Sequence, residues 1–205
     1  MNEPSPIDPL PLFARPARLG TAGAAARQRA FGDEVRVRST GQASIPETAS
    51  LCRGEHTTTL PAWPEPEALQ AGDELVVQVP STTTGREHYV QWLRRLAAAA
   101  PTTLAVAPCS AEPGGMHRLW CIGAARVLLP DHVRIEARHD LIGIRLAQLA
   151  VGFGADTLAG PIEPDRRLPV AGVPRPDENT AAGLANLVRQ VGLRPLTAPE
   201  SEAAS

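Results

Sequence analysis

The chain has 205 residues, of which 43% are hydrophobic and 20% are charged, so its composition is that of one ordinary globular domain. Its net charge of −2 excludes the strongly basic surface of a general nucleic-acid binder. No apolar run approaches the ~20 residues that a membrane span requires and no secretory leader opens the chain, so we expect a cytoplasmic protein without membrane contact.

The first third of the chain predicts an arm, a helix, a strand and a long irregular region. Residues 1–16 are rich in proline, which removes backbone donors, and they predict a flexible arm. Residues 17–31 are rich in alanine and arginine and predict a helix. EVRVRS then alternates apolar and charged residues, as a half-exposed strand does. Residues 40–72 are polar and contain several prolines, so they predict an irregular loop region in which HTTTL is the one strand candidate.

Short apolar runs alternate with helical patterns in the rest of the chain. The runs ELVVQVP, TTLAVAPC, HVRIEA and ADTLAGPI are each separated by one helical pattern, which is typical of a parallel sheet with outer helices. In DLIGIRLAQLAVGFGAD, Asp140 is placed as the helix N-cap. We therefore predict an α/β fold, with a reduced parallel (β/α)-barrel-like sheet of about five to six strands. Residues 17–196 form its single domain and residues 197–205 a disordered tail.

Candidate catalytic residues follow two of the predicted strands. Cys109 and Glu112 follow one strand, and His139 and Asp140 follow the next. Because active sites of parallel α/β folds lie at the carboxyl ends of strands, these side chains could converge at one mouth. Cys109 would then be a nucleophile and His139 its base, oriented by Asp140 or Glu112. The structural alternative makes Asp140 a helix cap and Cys109 a small buried hydrophobe.

A candidate ligand-binding run precedes the next predicted helix. Ser81, Thr83 and Gly85 offer hydroxyls and backbone donors that could hold a phosphate or carboxylate at a helix N-terminus. Helix capping explains the same residues. The chain lacks both the P-loop and the GxGxxG patterns, and its histidines lack zinc-ligand spacing, so the sequence predicts neither a nucleotide fingerprint nor a metal site within the chain.

The segment HDLIGIRLAQLAVGFGADTLAGPI resembles the last helix and last barrel strand of a group of radical S-adenosylmethionine enzymes. The group includes aminofutalosine synthase, the dehypoxanthine futalosine cyclase and the deazaflavin-cofactor synthase subunits. Weaker likenesses follow the same order in FGDEVRV, TTLAVAPC and ENTAAGLANLVRQVGLRP. The resemblance implies a barrel fold, an iron–sulfur cluster and S-adenosylmethionine as cofactors.

The chain departs from this family where the cluster should be. The family holds its cluster with CxxxCxxC after the first strand, whereas residues 45–60 here contain only Cys52. We therefore expect no cofactor, and a cluster-less, non-catalytic partner or small-molecule-binding subunit, which the resemblance links to menaquinone biosynthesis. The expected partner is another protein chain, such as a full-length radical enzyme, that covers an open strand edge. The alternatives are a cysteine enzyme using Cys109 with His139, and a metal site to which Cys52 and His56 contribute across an interface.

Overall fold

The structure, a computed structural model, describes residues 7–164 and 178–197. The strands are β1 (Glu34–Ser39), β2 (Ala49–Arg53), β3 (His56–Leu60), β4 (Glu74–Gln78), β5 (Ala105–Cys109), β6 (Arg134–Arg138), β7 (Thr157–Gly160) and β8 (Arg194–Thr197). The helices are α1 (Pro16–Phe31), α2 (Thr83–Ala99), α3 (Gly115–Leu128), α4 (His139–Ile142), α5 (Ile144–Val151) and α6 (Ala181–Gln190).

The strands form one open sheet in the order β3-β2-β4-β5-β6-β7-β1-β8. Every neighbouring pair from β4 to β8 is parallel, whereas β2 runs antiparallel to both β4 and β3. The predicted α/β class with a parallel sheet and helices is confirmed. The sheet has eight strands rather than five or six, and it does not close into a barrel, because β3 and β8 remain at its edges.

One face of the sheet packs against helices. Leu75 and Val77 of β4, Val106 of β5, Ile135 of β6 and Leu158 of β7 are all buried in the core. Helix α3 contacts β5 and β6, and it also contacts α1, α2 and α5, so these four helices form one layer. Alternation along the strands turns the intervening residues to the opposite face, where β4 carries Glu74 and β6 carries Glu136 and Arg138.

The proline-rich arm is docked in the part that the structure describes. Pro9 is buried, and its carbonyl accepts a hydrogen bond of 2.9 Å from Trp120 Nε1 in α3. The guanidinium of Arg86 lies 4.0 Å from the centre of the Phe13 ring. The described part of the arm thus contacts α2 and α3, because an aromatic ring and an indole donor supply the contacts that proline-rich backbone lacks. The flexibility of the arm stays a prediction. Residues 1–6 lie outside the described residues.

The region 40–72 is only partly irregular. It contains the β2–β3 hairpin, in which HTTTL forms β3 as expected. The sequence ASLCR of β2 escaped prediction because its burial comes from pairing with β4 and not from a local pattern. At the other end, Thr197 belongs to β8, so the predicted tail of residues 197–205 starts one residue too early, and residues 198–205 lie outside the described part.

The predicted long helix after β6 is divided in two. Gly143, with φ of +87°, separates α4 from α5. Asp140 lies inside α4, whose N-cap is Arg138, so the prediction of Asp140 as N-cap is wrong. None of the described helices is both long enough and apolar enough to cross a bilayer.

Candidate functional site

A cavity of about 320 Å³ lies on the sheet face opposite the α1–α2–α3–α5 layer. Its floor is the strands β2 to β6, and the segment that follows β1 forms its wall. The lining side chains and backbone belong to Thr40, Gly41, Gln42, Ala43, Ser44, Pro46, Ser50, Cys52, Thr57, Thr59, Glu74, Leu75, Val76, Ala107, Glu136 and Arg138. The volume is at the lower end of the range of small-molecule sites.

Sheet register explains why polar residues share this floor. Cys52 pairs with Thr57 on one side and with Glu74 on the other, and Glu74 pairs in turn with Ala105 of β5. Residues in register point to the same face of a sheet. The row of register partners therefore carries a thiol, a hydroxyl and a carboxylate onto one surface.

Arg38 of β1 crosses this surface and binds two carboxylates. Its Nη1 lies 2.5 Å from Glu74 Oε1, while its Nε and Nη2 donate to the two oxygens of Glu136 at 3.0 and 2.9 Å. Burial raises the pKa of Glu136 in spite of Arg38, because its side chain is only 5% exposed. Burial opposes the charge of Arg38, but Glu136 and Glu74 together raise its pKa.

A second ion pair fastens the wall of the cavity. Arg138 donates to Asp140 at 2.9 and 2.6 Å, and its Nη2 also donates to the Gly41 carbonyl at 2.8 Å. Asp140 Oδ2 accepts from the Ala43 backbone N–H at 3.0 Å. Although burial opposes ionisation, the hydrogen bonds from Arg138 and Ala43 lower the pKa of Asp140. Asp140 therefore holds the 40–46 segment in place instead of orienting His139.

The predicted thiol and imidazole are both buried, and the structure does not pair them. Cys109 is 1% exposed, and burial raises its pKa to about 12. No hydrogen bond joins Cys109 to His139 among the described residues. Burial lowers the pKa of His139, and its Nε2 is buried without a hydrogen-bond partner. A Cβ added to Gly160 would lie 2.5 Å from that Nε2, so the ring packs directly on the end of β7.

The other predicted site residues lie in the loop after β4, in the first turn of α2 and in the loop after β5, and a hydrogen bond connects the two loops. Glu112 accepts a hydrogen bond of 2.6 Å from the Ser81 backbone N–H, and the hydrogen bonds from Ser81 lower the pKa of Glu112. Thr82 caps α2 through the Gly85 N–H, and Thr83 accepts from Arg86. A Cβ on Gly85 would lie 2.6 Å from the Pro80 carbonyl oxygen, so this turn leaves no space for a side chain at position 85.

The residues present do not fit the cluster that the resemblance implies. Three thiolates would have to converge, but Cys109 and Cys121 are buried and Cys52 lies in β2. Within residues 7–164 and 178–197, no three histidine, cysteine, aspartate or glutamate side chains are grouped to hold a metal ion. Strand alternation also places His56 on the opposite face of the hairpin from Cys52, since Cys52 is paired with Thr57. These two residues thus do not form half of a shared site.

Sequence reasoning missed the charged floor of the cavity, namely Glu74, Glu136 and Arg138, together with Arg38, which binds both glutamates. A usable signal was present in EVRVRS and in HVRIEAR, where charged residues alternate with apolar ones. Strands of a parallel sheet that is covered on both faces are apolar throughout. Alternation of charged and apolar residues in two strands of a parallel sheet therefore indicates that helices do not cover one of its faces.

Compared with known proteins, the chain matches no protein-family model, and no curated protein matches it.

Proposed function

We propose that the protein binds a small polar molecule in this cavity, and that the molecule carries hydrogen-bond donors and no net negative charge. The observation that carries the proposal is the pair of carboxylates Glu74 and Glu136 on the floor of a cavity, both bound by the neighbouring Arg38. Buried ion pairs add little to stability, because desolvation offsets their attraction. Their concentration in a concave site favours a binding role over a structural one.

The charges of the cavity define the ligand class. Two guanidinium groups, Arg38 and Arg138, face three carboxylates, Glu74, Glu136 and Asp140, so the group has one negative charge in excess. Each guanidinium is already bound to a carboxylate, which leaves little attraction for an anion. The side chain of Glu74 remains 34% exposed, and its Oε2 accepts no hydrogen bond from the described residues. This oxygen is suited to accept from a hydroxyl or amino group.

The neutral part of the lining fits the same ligand class. The hydroxyls of Ser50, Thr57 and Thr59 are on the floor, and the Gly41–Ala43 backbone borders the wall. Hydroxyls both donate and accept, so they suit a polyol or an amino alcohol. The burial of Cys109 and His139 supports binding over cysteine chemistry.

We also propose that the open sheet is derived from a (β/α)-barrel, and the strand order supports this proposal. Strands β4 to β7 follow one another in chain order, and β1 lies parallel beside β7, as the first strand does when a barrel closes. The proposed link to radical S-adenosylmethionine enzymes, including one as a partner, rests on the sequence resemblance alone.

Saturation-transfer NMR tests the proposal with ribose, inositol and ethanolamine as donor-rich probes and citrate as an anionic probe. We expect transfer to at least one donor-rich probe, with amide shifts at Gly41–Ala43, and none to citrate. Glu74→Gln should weaken that binding about tenfold, the loss expected for one charged hydrogen bond. Glu87→Gln, on the exposed face of α2, is the matched control and should bind as the wild type does. Equal binding of citrate, or equal loss in both variants, would contradict the proposal.

A further inference from the structure

The strand β3 is an unprotected edge of the sheet. It pairs only with β2, and its residues are exposed except for the half-buried Leu60. The strand contains no proline, and its one residue with a titratable side chain is His56. At the opposite edge, β8 carries Arg194 and Pro195, which are residues that discourage strand addition.

Hairpin geometry shows which backbone groups of β3 point outward. A two-residue turn at Gly54 and Glu55 connects β2 to β3, and Arg53 pairs with His56 across it. The pair that closes such a turn is a hydrogen-bonded pair, and bonded and non-bonded pairs alternate from there. Thr57 and Thr59 therefore direct their N–H and C=O groups away from β2. Among the described residues, neither takes part in a backbone hydrogen bond outside the strands.

The sequence of this edge is complementary to itself. We infer that two copies of the chain pair through β3 as antiparallel neighbours, with a two-fold axis at Thr58. Thr57 then lies opposite the partner's Thr59, and both have outward-pointing backbone groups. The pairing brings threonines together across the strands, which is a favourable combination. Within residues 55–61 the one acidic side chain, Glu55, faces the partner's Pro61, so no like charges oppose each other.

The paired edge would enlarge the cavity on each copy. Thr57 and Thr59 line the cavity at this side of the floor. A two-fold axis perpendicular to the sheet keeps both open faces on the same side, so the two cavities lie next to each other across the axis. The partner's Thr57 and Thr59 then extend the floor of each cavity. A five-residue strand forms a small interface, so the dimer is expected to be weak.

Sedimentation velocity of the ligand-free protein tests the dimer. From about 1 μM to about 1 mM, the weak range of affinities, the mass should rise from 21.7 kDa towards twice that value. Because no ligand is present, this result is independent of the proposed binding function. A single monomer species over the whole range would overturn the inference.

Two variants of Thr59 distinguish the role of its backbone N–H in dimerisation from that of its side chain. Thr59→Pro removes the outward N–H without touching the β2–β3 ladder, and it should leave a monomer at all concentrations. Thr59→Val loses the same hydroxyl but keeps the N–H, so it should still dimerise. Dimerisation of a folded Thr59→Pro protein to the wild-type extent would place the contact elsewhere and refute the inference.

Hydrogen exchange on the wild-type protein gives a second measurement that does not depend on any variant folding. The amides of Thr57 and Thr59 should exchange several-fold more slowly at high than at low protein concentration, because they become bonded in the dimer. The amide of Thr58, bonded to β2 in both states, should not change. Concentration-independent exchange at Thr57 and Thr59 in a sample that dimerises would show that another surface associates.

Discussion

The pair formed by Arg126 and Asp156 joins three elements of the fold, and both side chains are fully buried. Asp156 Oδ2 accepts from Arg126 Nη2 in α3 and from the Ile135 backbone N–H in β6, each at 2.8 Å. Its Oδ1 accepts from the Thr157 hydroxyl at the start of β7 at 2.9 Å. The carboxylate thus connects a helix of the covering layer to two neighbouring strands.

Replacing Asp156 by asparagine keeps the size of the side chain but leaves the Arg126 charge without its counter-ion. Removal of one partner of a buried ion pair costs about 3–5 kcal/mol. Arg126 retains hydrogen bonds to the carbonyls of Val133 and Gly154, so we expect the lower end of this range, about 3 kcal/mol. For a chain of this length, that loss lowers the melting temperature by roughly 6–12 °C.

Urea denaturation followed by tryptophan fluorescence measures this loss, together with a double-mutant cycle that adds Arg126→Met. The matched control is Glu65→Gln, because the pair of Glu65 with Arg95 is exposed on both sides, at 63% and 57%. We expect the control to change stability by less than about 1 kcal/mol. The reasoning is refuted if Asp156→Asn lowers the free energy of unfolding no more than the control does. It is also refuted if the losses of the Asp156→Asn and Arg126→Met variants add up to that of the double variant.

Three further predictions concern packing, thiol reactivity and pH dependence. Gly20→Ala in α1 should stabilise the protein by up to about 1 kcal/mol, whereas Gly23→Ala should destabilise it by about 1–3 kcal/mol. The reason is that only the Cβ added at Gly23 overlaps the backbone after α5, and thermal melts of the two variants give the sign of each change. Burial raises the pKa of Cys109 to about 12, so a thiol reagent at about pH 8 should label the half-buried Cys52 fast and Cys109 only after unfolding. Burial raises the pKa of Glu136 in the native state, so its stabilising contribution is complete below the unfolded pKa of 4.5 and declines as pH rises through the folded value. The urea midpoint of the wild type minus that of Glu136→Gln should therefore fall between about pH 4 and about pH 8, and a rise in this difference would contradict the assignment.

The predicted catalytic residues show where strand-end reasoning succeeds and where it stops. Ser81 and Glu112 follow neighbouring strands and do meet, because parallel neighbours end at the same edge of the sheet. Cys109 ends β5 and His139 follows the neighbouring β6, yet both are buried and no hydrogen bond joins them among the described residues. Position after a strand specifies an edge of the sheet, but the side-chain direction depends on the local turn. Gly143 ends α4 after one turn, and nothing in the surrounding periodicity indicates this interruption.

The alternation of strands and helices after residue 73 could be predicted from the sequence, because hydrophobic periodicity and helix-ending residues act over a few neighbours. Tertiary structure alone decided which charges meet. Arg38 binds Glu136, which lies 98 residues away, and Glu74, which lies 36 residues away. These contacts depend on β1 lying beside β7 and on the register of every strand between them. Neighbour order and register are set by long-range packing of the whole sheet, so the charged floor of the cavity forms only when the sheet is complete.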